Sequence, residues 1–209
     1  TREMLALEQD NMLRVEMAKN SVHPIGGGEQ LEGVQARYRL LDDHVAALST
    51  ILNAEDSLVV LQGNPGVGKT VMMAAGKEII ESRGFRVNGV SASATAAKQL
   101  QADSGIESTT LQAYLLENRH FLERNADRDL AISELKRSPD FRPSVLIVDE
   151  GSFVDTLRFN ELLQIAEATE TRLVLSGDRK QLESVDAGKP FAQAQDHRAE
   201  KAELTKILR

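Results

Sequence analysis

Short runs rich in apolar residues alternate along this chain with longer stretches in which apolar residues recur every three or four positions. The short runs are Ser57-Leu58-Val59-Val60-Leu61-Gln62, Phe85-Arg86-Val87-Asn88-Gly89-Val90, Val145-Leu146-Ile147-Val148 and Arg172-Leu173-Val174-Leu175-Ser176. Their length and β-branched content predict strands, with 57–62 and above all 145–148 reading as buried on both faces, as in a parallel sheet. The 3.6-residue spacing predicts helices over residues 2–20, roughly 29–53, 71–80, 95–101, 157–168 and, less regularly, 110–136. In the first of these, Met4, Leu5, Leu7, Met12, Leu13, Val15 and Met17 form an apolar stripe that reads as a packing face. Pro24-Ile25-Gly26-Gly27-Gly28 breaks the chain after it, Gly84 reads as a helix stop, and Pro139 and Pro143 bracket a loop before the third strand. Strands alternating with helices predict an α/β fold, a mainly parallel sheet covered by helices on both faces and joined by right-handed crossovers.

Between the first strand and the helix that follows lies Gly63-Asn64-Pro65-Gly66-Val67-Gly68-Lys69-Thr70, which fits the phosphate-loop pattern G-x-x-x-x-G-K-[ST]. The pattern needs that context. A loop that turns backbone N–H groups inward, onto the positive end of a helix, requires residues without bulky side chains, and Gly63, Gly66 and Gly68 supply them. In such a loop Lys69 reaches the β- and γ-phosphates and the Thr70 hydroxyl completes the coordination of Mg²⁺. A bound nucleotide and Mg²⁺ are therefore expected.

Asp149 and Glu150 follow the most apolar strand, at the C-terminal edge where an open α/β sheet holds its ligands. There Asp149 would hold Mg²⁺, and Glu150 would orient the water that attacks the γ-phosphate, which separates hydrolysis from mere binding. The next strand ends in Ser176-Gly177-Asp178-Arg179-Lys180-Gln181-Leu182. Gln181 is a neutral amide suited to bond a γ-phosphate oxygen or its water and to lose that bond after hydrolysis. Asp178 has two open readings, acceptance from a cation or exposure to water.

Composition narrows the class. The 209 residues include 41% hydrophobic ones, enough for a real core, and no run approaches the roughly 18 apolar residues of a membrane span. The first residues lack the apolar centre of a signal peptide, so a cytoplasmic address is expected. Zero cysteines exclude disulfides and thiolate metal sites. The net charge of -7 argues against coating nucleic acid by bulk electrostatics, so any DNA contact must be local. The opening on Thr1 and the close on Arg209 in mid-pattern suggest a piece of something larger.

Taken together, the marks resemble the first motor domain of a superfamily 1B DNA helicase, in particular the helicase part of conjugative relaxases. The phosphate loop is similar to that family's motif I, and Ser91-Ala92-Ser93-Ala94-Thr95-Ala96-Ala97-Lys98-Gln99-Leu100 to motif Ia. Ser108-Thr109-Thr110-Leu111-Gln112-Ala113-Tyr114-Leu115 resembles the next DNA-contacting motif, and Val148-Asp149-Glu150-Gly151-Ser152-Phe153-Val154 resembles motif II. Gly177-Asp178-Arg179-Lys180-Gln181-Leu182 with Gly188-Lys189-Pro190-Phe191 is similar to motif III, and Leu204-Thr205-Lys206-Ile207-Leu208-Arg209 to the start of motif IV. The resemblance implies a RecA-like P-loop domain over residues 57–209, preceded by a helical N-terminal segment over 1–56. It also implies ATP-driven 5′ to 3′ movement on single-stranded DNA, with Arg209 reaching the γ-phosphate. DNA contacts would come from Ser93, Thr95 and Thr110, with Lys98 on phosphate. A second RecA-like domain, which would close the nucleotide cleft, is missing from the chain, and whether a DNA-nicking domain lies upstream is left open by the sequence.

One position departs from the family. Where such helicases carry a glutamine that reads adenine, this chain has His44, whose imidazole cannot reproduce an amide's paired bonds to the base. His44 is either a base contact of altered selectivity or a surface histidine on its helix. A P-loop ATPase or kinase unrelated to DNA, and a DNA-binding module with impaired chemistry, are the alternative functions. Taken alone, a Ser/Ala-rich strand end such as 91–97 can equally be a plain helix cap.

Overall fold

The computed structural model describes residues 2–64, 66–122, 126–178, 194 and 200–204. Three helices come first, α1 (Arg2–Met17), α2 (Leu31–Tyr38) and α3 (Asp42–Asn53), followed by β1 (Leu58–Gly63) and α4 (Lys69–Ser82). Next come β2 (Arg86–Ser91), α5 (Ala94–Ser104), β3 (Glu107–Thr110), α6 (Leu111–Glu117) and α7 (Ala126–Arg137). The chain continues through β4 (Ser144–Val148), α8 (Thr156–Thr169), β5 (Thr171–Gly177) and β6 (Glu200–Leu204).

The six strands form one sheet in the order β3-β2-β4-β5-β1-β6, and every neighbouring pair is parallel. All six C-terminal ends therefore open on one edge. Alternate side chains enter two separate cores, as the two-residue period of a strand requires. Val59, Leu61, Val145, Ile147 and Val174 face a core closed by α2, α3, α4 and α5. Leu58, Val60, Leu146, Val148, Leu173 and Leu175 face the other, closed by α1, α6 and α8. Each fully buried Leu, Val or Ile contributes about 1.5–3 kcal/mol. The structure is the RecA-like P-loop architecture, with helices on both faces of a parallel sheet.

Four features differ from the sequence expectation. The helix anticipated over 29–53 is broken at Arg39, whose left-handed backbone (φ 53) ends α2 and turns Leu40 into the core. β3 and β6 were not anticipated, because Glu107-Ser108-Thr109-Thr110 and Glu200-Lys201-Ala202-Glu203-Leu204 are too polar to read as buried strands. Both lie at sheet edges, where charge discourages pairing with other chains. The stripe assigned to α1 is largely not its packing face: Leu5, Leu13 and Met17 are exposed, while Asn11 and Val15 are buried. A polar network holds that helix instead. Asn11 Nδ2 donates to the Thr156 carbonyl (2.9 Å), Asn160 Nδ2 to Asn11 Oδ1 (2.8 Å), and Arg14 pairs with Glu167 (2.6 Å). Hydropathy alone cannot locate a face built from amides.

α3 lies close on α4 because Gly76 has no side chain. A Cβ there would stand 2.7 Å from Leu48 Cδ2, and Leu48 is itself only 1% exposed and cannot swing aside. Gly76→Val is expected to destabilise the fold by about 1–3 kcal/mol, measured by urea unfolding, despite better helix propensity. Unchanged stability would mean that the two helices part easily.

Candidate functional site

β1 delivers the chain to the phosphate loop at the open edge of the sheet. Gly66 (φ +80) and Gly68 (φ +82) occupy left-handed backbone, which a side chain would strain, and Gly68 is the cap from which α4 starts at Lys69. At Gly63 a Cβ would meet Val67 Cγ2 at 3.1 Å and Lys69 Cδ at 3.3 Å, so glycine lets the loop close over its own strand. Val67 is 1% exposed and anchors the loop in the core below. The first N–H groups of α4, those of Lys69 and Thr70 among them, carry the helix's partial positive charge at this end.

Lys69 folds back over the loop and donates from Nζ to the Gly63 carbonyl (2.7 Å). Burial lowers its pKa, and the charges of Asp149, Asp178 and Glu150 oppose that shift, so all three carboxylates lie within electrostatic reach of one ammonium. Asp149 extends β4, its N–H donating to the Val90 carbonyl (2.9 Å). Burial raises the Asp149 pKa, opposed by a hydrogen bond from the Glu150 backbone, by the Lys69 charge and by the nearby Ser176 hydroxyl. That hydroxyl is fully buried and finds no partner of good hydrogen-bond geometry among the described residues. Glu150 is exposed and holds a left-handed backbone (φ 55), at the start of the turn Gly151–Phe153. Strain of this kind at a non-glycine residue collects at functional sites.

Asp178 resolves its two readings toward burial: it is 5% exposed, accepts from Gln62 Nε2 (3.2 Å) and bears on Lys69. Gln62 and Ser176 escaped the sequence reading because each sits inside a strand run, where a polar residue reads as a strand end. The sheet order sets Ser176 beside the end of β4 and Gln62 beside Gly177, next to Asp178.

His44 is not the surface histidine of one sequence reading. It is 0% exposed, with Nδ1 accepting from the Leu41 N–H (3.1 Å) and Nε2 against the Val67 carbonyl (2.6 Å). Both ring nitrogens are engaged with backbone.

Ser93 and Thr110 stand at the ends of β2 and β3 on the same open edge as the loop. Each caps the next helix: Ser93 Oγ accepts from the Ala96 N–H (3.1 Å) and Thr110 Oγ1 from the Ala113 N–H (3.1 Å). A capping hydroxyl still has its hydrogen to donate outward. Thr95 and Lys98 are exposed on the first turns of α5. Pro65, Gln181 and Arg209 lie outside the described residues.

A family model described as an AAA domain matches residues 39–209. The chain belongs to that family. Its relatives carry the resemblance to the helicase part of conjugative relaxases. A probable conjugal transfer protein TraA of Sinorhizobium fredii is 31% identical over 100% of this chain and 18% of its own length. The multifunctional conjugation protein TraI of Escherichia coli is 28% identical over 81% of this chain and 9% of its own. The ATP-dependent RecD2 DNA helicase of Deinococcus radiodurans is 28% identical over 95% of this chain and 26% of its own. The chain thus spans about a quarter or less of each of these relatives, and it is a superfamily 1B helicase-like motor domain. Among the described residues, no helix is long and apolar enough to cross a membrane.

Proposed function

We propose that this chain binds ATP with Mg²⁺ and hydrolyses it as the first motor domain of a conjugative relaxase-type helicase moving 5′ to 3′ on single-stranded DNA. The observation that carries the proposal is the phosphate loop closed by Lys69 on the Gly63 carbonyl (2.7 Å), with Asp149, Asp178 and Glu150 within electrostatic reach of that ammonium. The residues fit the ligand: left-handed Gly66 and Gly68 clear the loop of side chains, and the Lys69 ammonium now on the Gly63 carbonyl can move to a phosphate oxygen. Thr70 and Asp149 would hold the Mg²⁺, which neutralises charge on the phosphates when bound. Glu150, exposed at the rim, would orient the attacking water. Gln181 would sense the γ-phosphate, and Arg209 would reach it. In this reading residues 1–56 form a helical cover on the motor domain of 57–209.

Ser93, Thr95, Lys98 and Thr110 share the open edge, so a strand of DNA lying across the ends of β2 and β3 would run beside the nucleotide. Hydroxyls, helix-start amides and one lysine contact phosphate without reading sequence, which suits a translocating motor. The second RecA-like domain would complete the cleft, and a nicking domain would supply the entry strand. The test is ATP turnover, in a chain extended past Arg209, with and without single-stranded DNA. Stimulation of several-fold supports the motor; indifference to DNA would favour a P-loop ATPase or kinase acting elsewhere. The chain of 209 residues alone is expected to separate no duplex.

A further inference from the structure

His44 sits at the third position of α3, directly beneath the phosphate loop and sealed from solvent. Its surroundings fix its tautomer. The Leu41 N–H is a donor, so the Nδ1 that faces it at 3.1 Å must accept; the Val67 carbonyl is an acceptor, so the Nε2 that faces it at 2.6 Å must carry the hydrogen. The His44 N–H is occupied as well, by Asp43 Oδ1 (3.0 Å). One side chain therefore ties the start of α3 to the middle of the loop.

Val67 lies between the left-handed glycines 66 and 68. Its peptide bond to Gly68 is trans, like every described bond, so its C=O and the following N–H point in opposite directions. A carbonyl held down onto His44 leaves the Gly68 N–H turned away from the core. From this geometry we infer that His44 is a positioning residue: through the Val67 carbonyl it aims the Gly68 N–H at the phosphates of a bound nucleotide, and it does not read the base. The inference deepens the proposed nucleotide site and rests on it for the identity of the ligand. It also accounts for the departure from the family's glutamine. An imidazole wedged between two backbone groups sets the loop whatever base is bound, so triphosphate binding should be indifferent to the base as far as this residue is concerned.

Two amides divide the two bonds between them. The carboxamide oxygen of asparagine is as many bonds from Cα as Nδ1, and the amide nitrogen of glutamine as many as Nε2. His44→Asn thus keeps the bond to Leu41 and loses the loop, whereas His44→Gln keeps the loop and loses the bond to Leu41. The first readout is hydrogen exchange at the amides of residues 67–72 in the ligand-free protein, and the second is fluorescence titration with ATP and GTP. His44→Asn is expected to speed loop exchange and to weaken both nucleotides about tenfold, the worth of one buried hydrogen bond, while His44→Gln stays within about twofold of wild type. Wild-type loop exchange in His44→Asn, damage confined to His44→Gln, or a changed preference for ATP over GTP with unchanged exchange would each overturn the inference. Should the wild-type protein bind neither nucleotide, the nucleotide reading falls while the exchange data still decide the role of His44 in the loop.

Discussion

Lys69→Ala is expected to weaken ATP binding by roughly 100-fold or more, the usual cost of losing a charged group that meets the phosphates. Lys69 is the cation whose charge faces Asp149, Asp178 and Glu150 together. Without it the three carboxylates lose the ammonium that offsets their charge as phosphate oxygens arrive, and like charges in a half-buried site repel strongly. The ligand-free fold should suffer little. Burial already disfavours the Lys69 ammonium, and its hydrogen bond to the Gly63 carbonyl is worth about 0.5–1.5 kcal/mol. A melting temperature near wild type alongside lost binding, read by thermal unfolding and titration on the same sample, would establish that Lys69 acts on the ligand. Loss of both together would assign it to the fold.

Glu150→Gln should separate binding from chemistry. Glutamine keeps the size and hydrogen-bonding reach of the side chain but cannot take a proton, so turnover is expected to fall by about 100- to 10,000-fold with ATP affinity within a few-fold of wild type. The backbone gives a second handle on the same residue. Its left-handed conformation costs a non-glycine residue about 1–3 kcal/mol, so Glu150→Gly should stabilise the fold even as it abolishes turnover. A variant that is more stable and inactive is the mark of strain kept for function. Stability lost on Glu150→Gly would place the side chain in a structural role.

The central strands and the phosphate loop were legible in the sequence because both obey short-range rules. β1, β4 and β5 are largely apolar runs buried from both sides, β2 alternates more but keeps Val87 and Val90 inside, and the loop needs glycines at fixed spacing. What the sequence concealed depends on contacts across the chain. Edge strands β3 and β6 carry charges because only part of each is covered, so their hydropathy is that of a loop. The break at Arg39 is a left-handed turn in a residue with no preference for one, chosen by where Leu40 and His44 must point. α1 packs through Asn11 and the Asn160 network, polar groups that satisfy one another only once α8 is beside them. The site divides the same way. Lys69 and Asp149 announce themselves by motif, whereas Ser176, the Gln62–Asp178 pair and the lodging of His44 under Val67 exist only in the folded sheet.

The most direct test of the account is steady-state phosphate release from Mg²⁺-ATP by the wild-type protein and by Lys69→Ala under identical conditions. The arrangement of Lys69 with Asp149 and Glu150 predicts release by the wild type and a rate at least about 100-fold lower in the variant. Equal rates in the two proteins would contradict it.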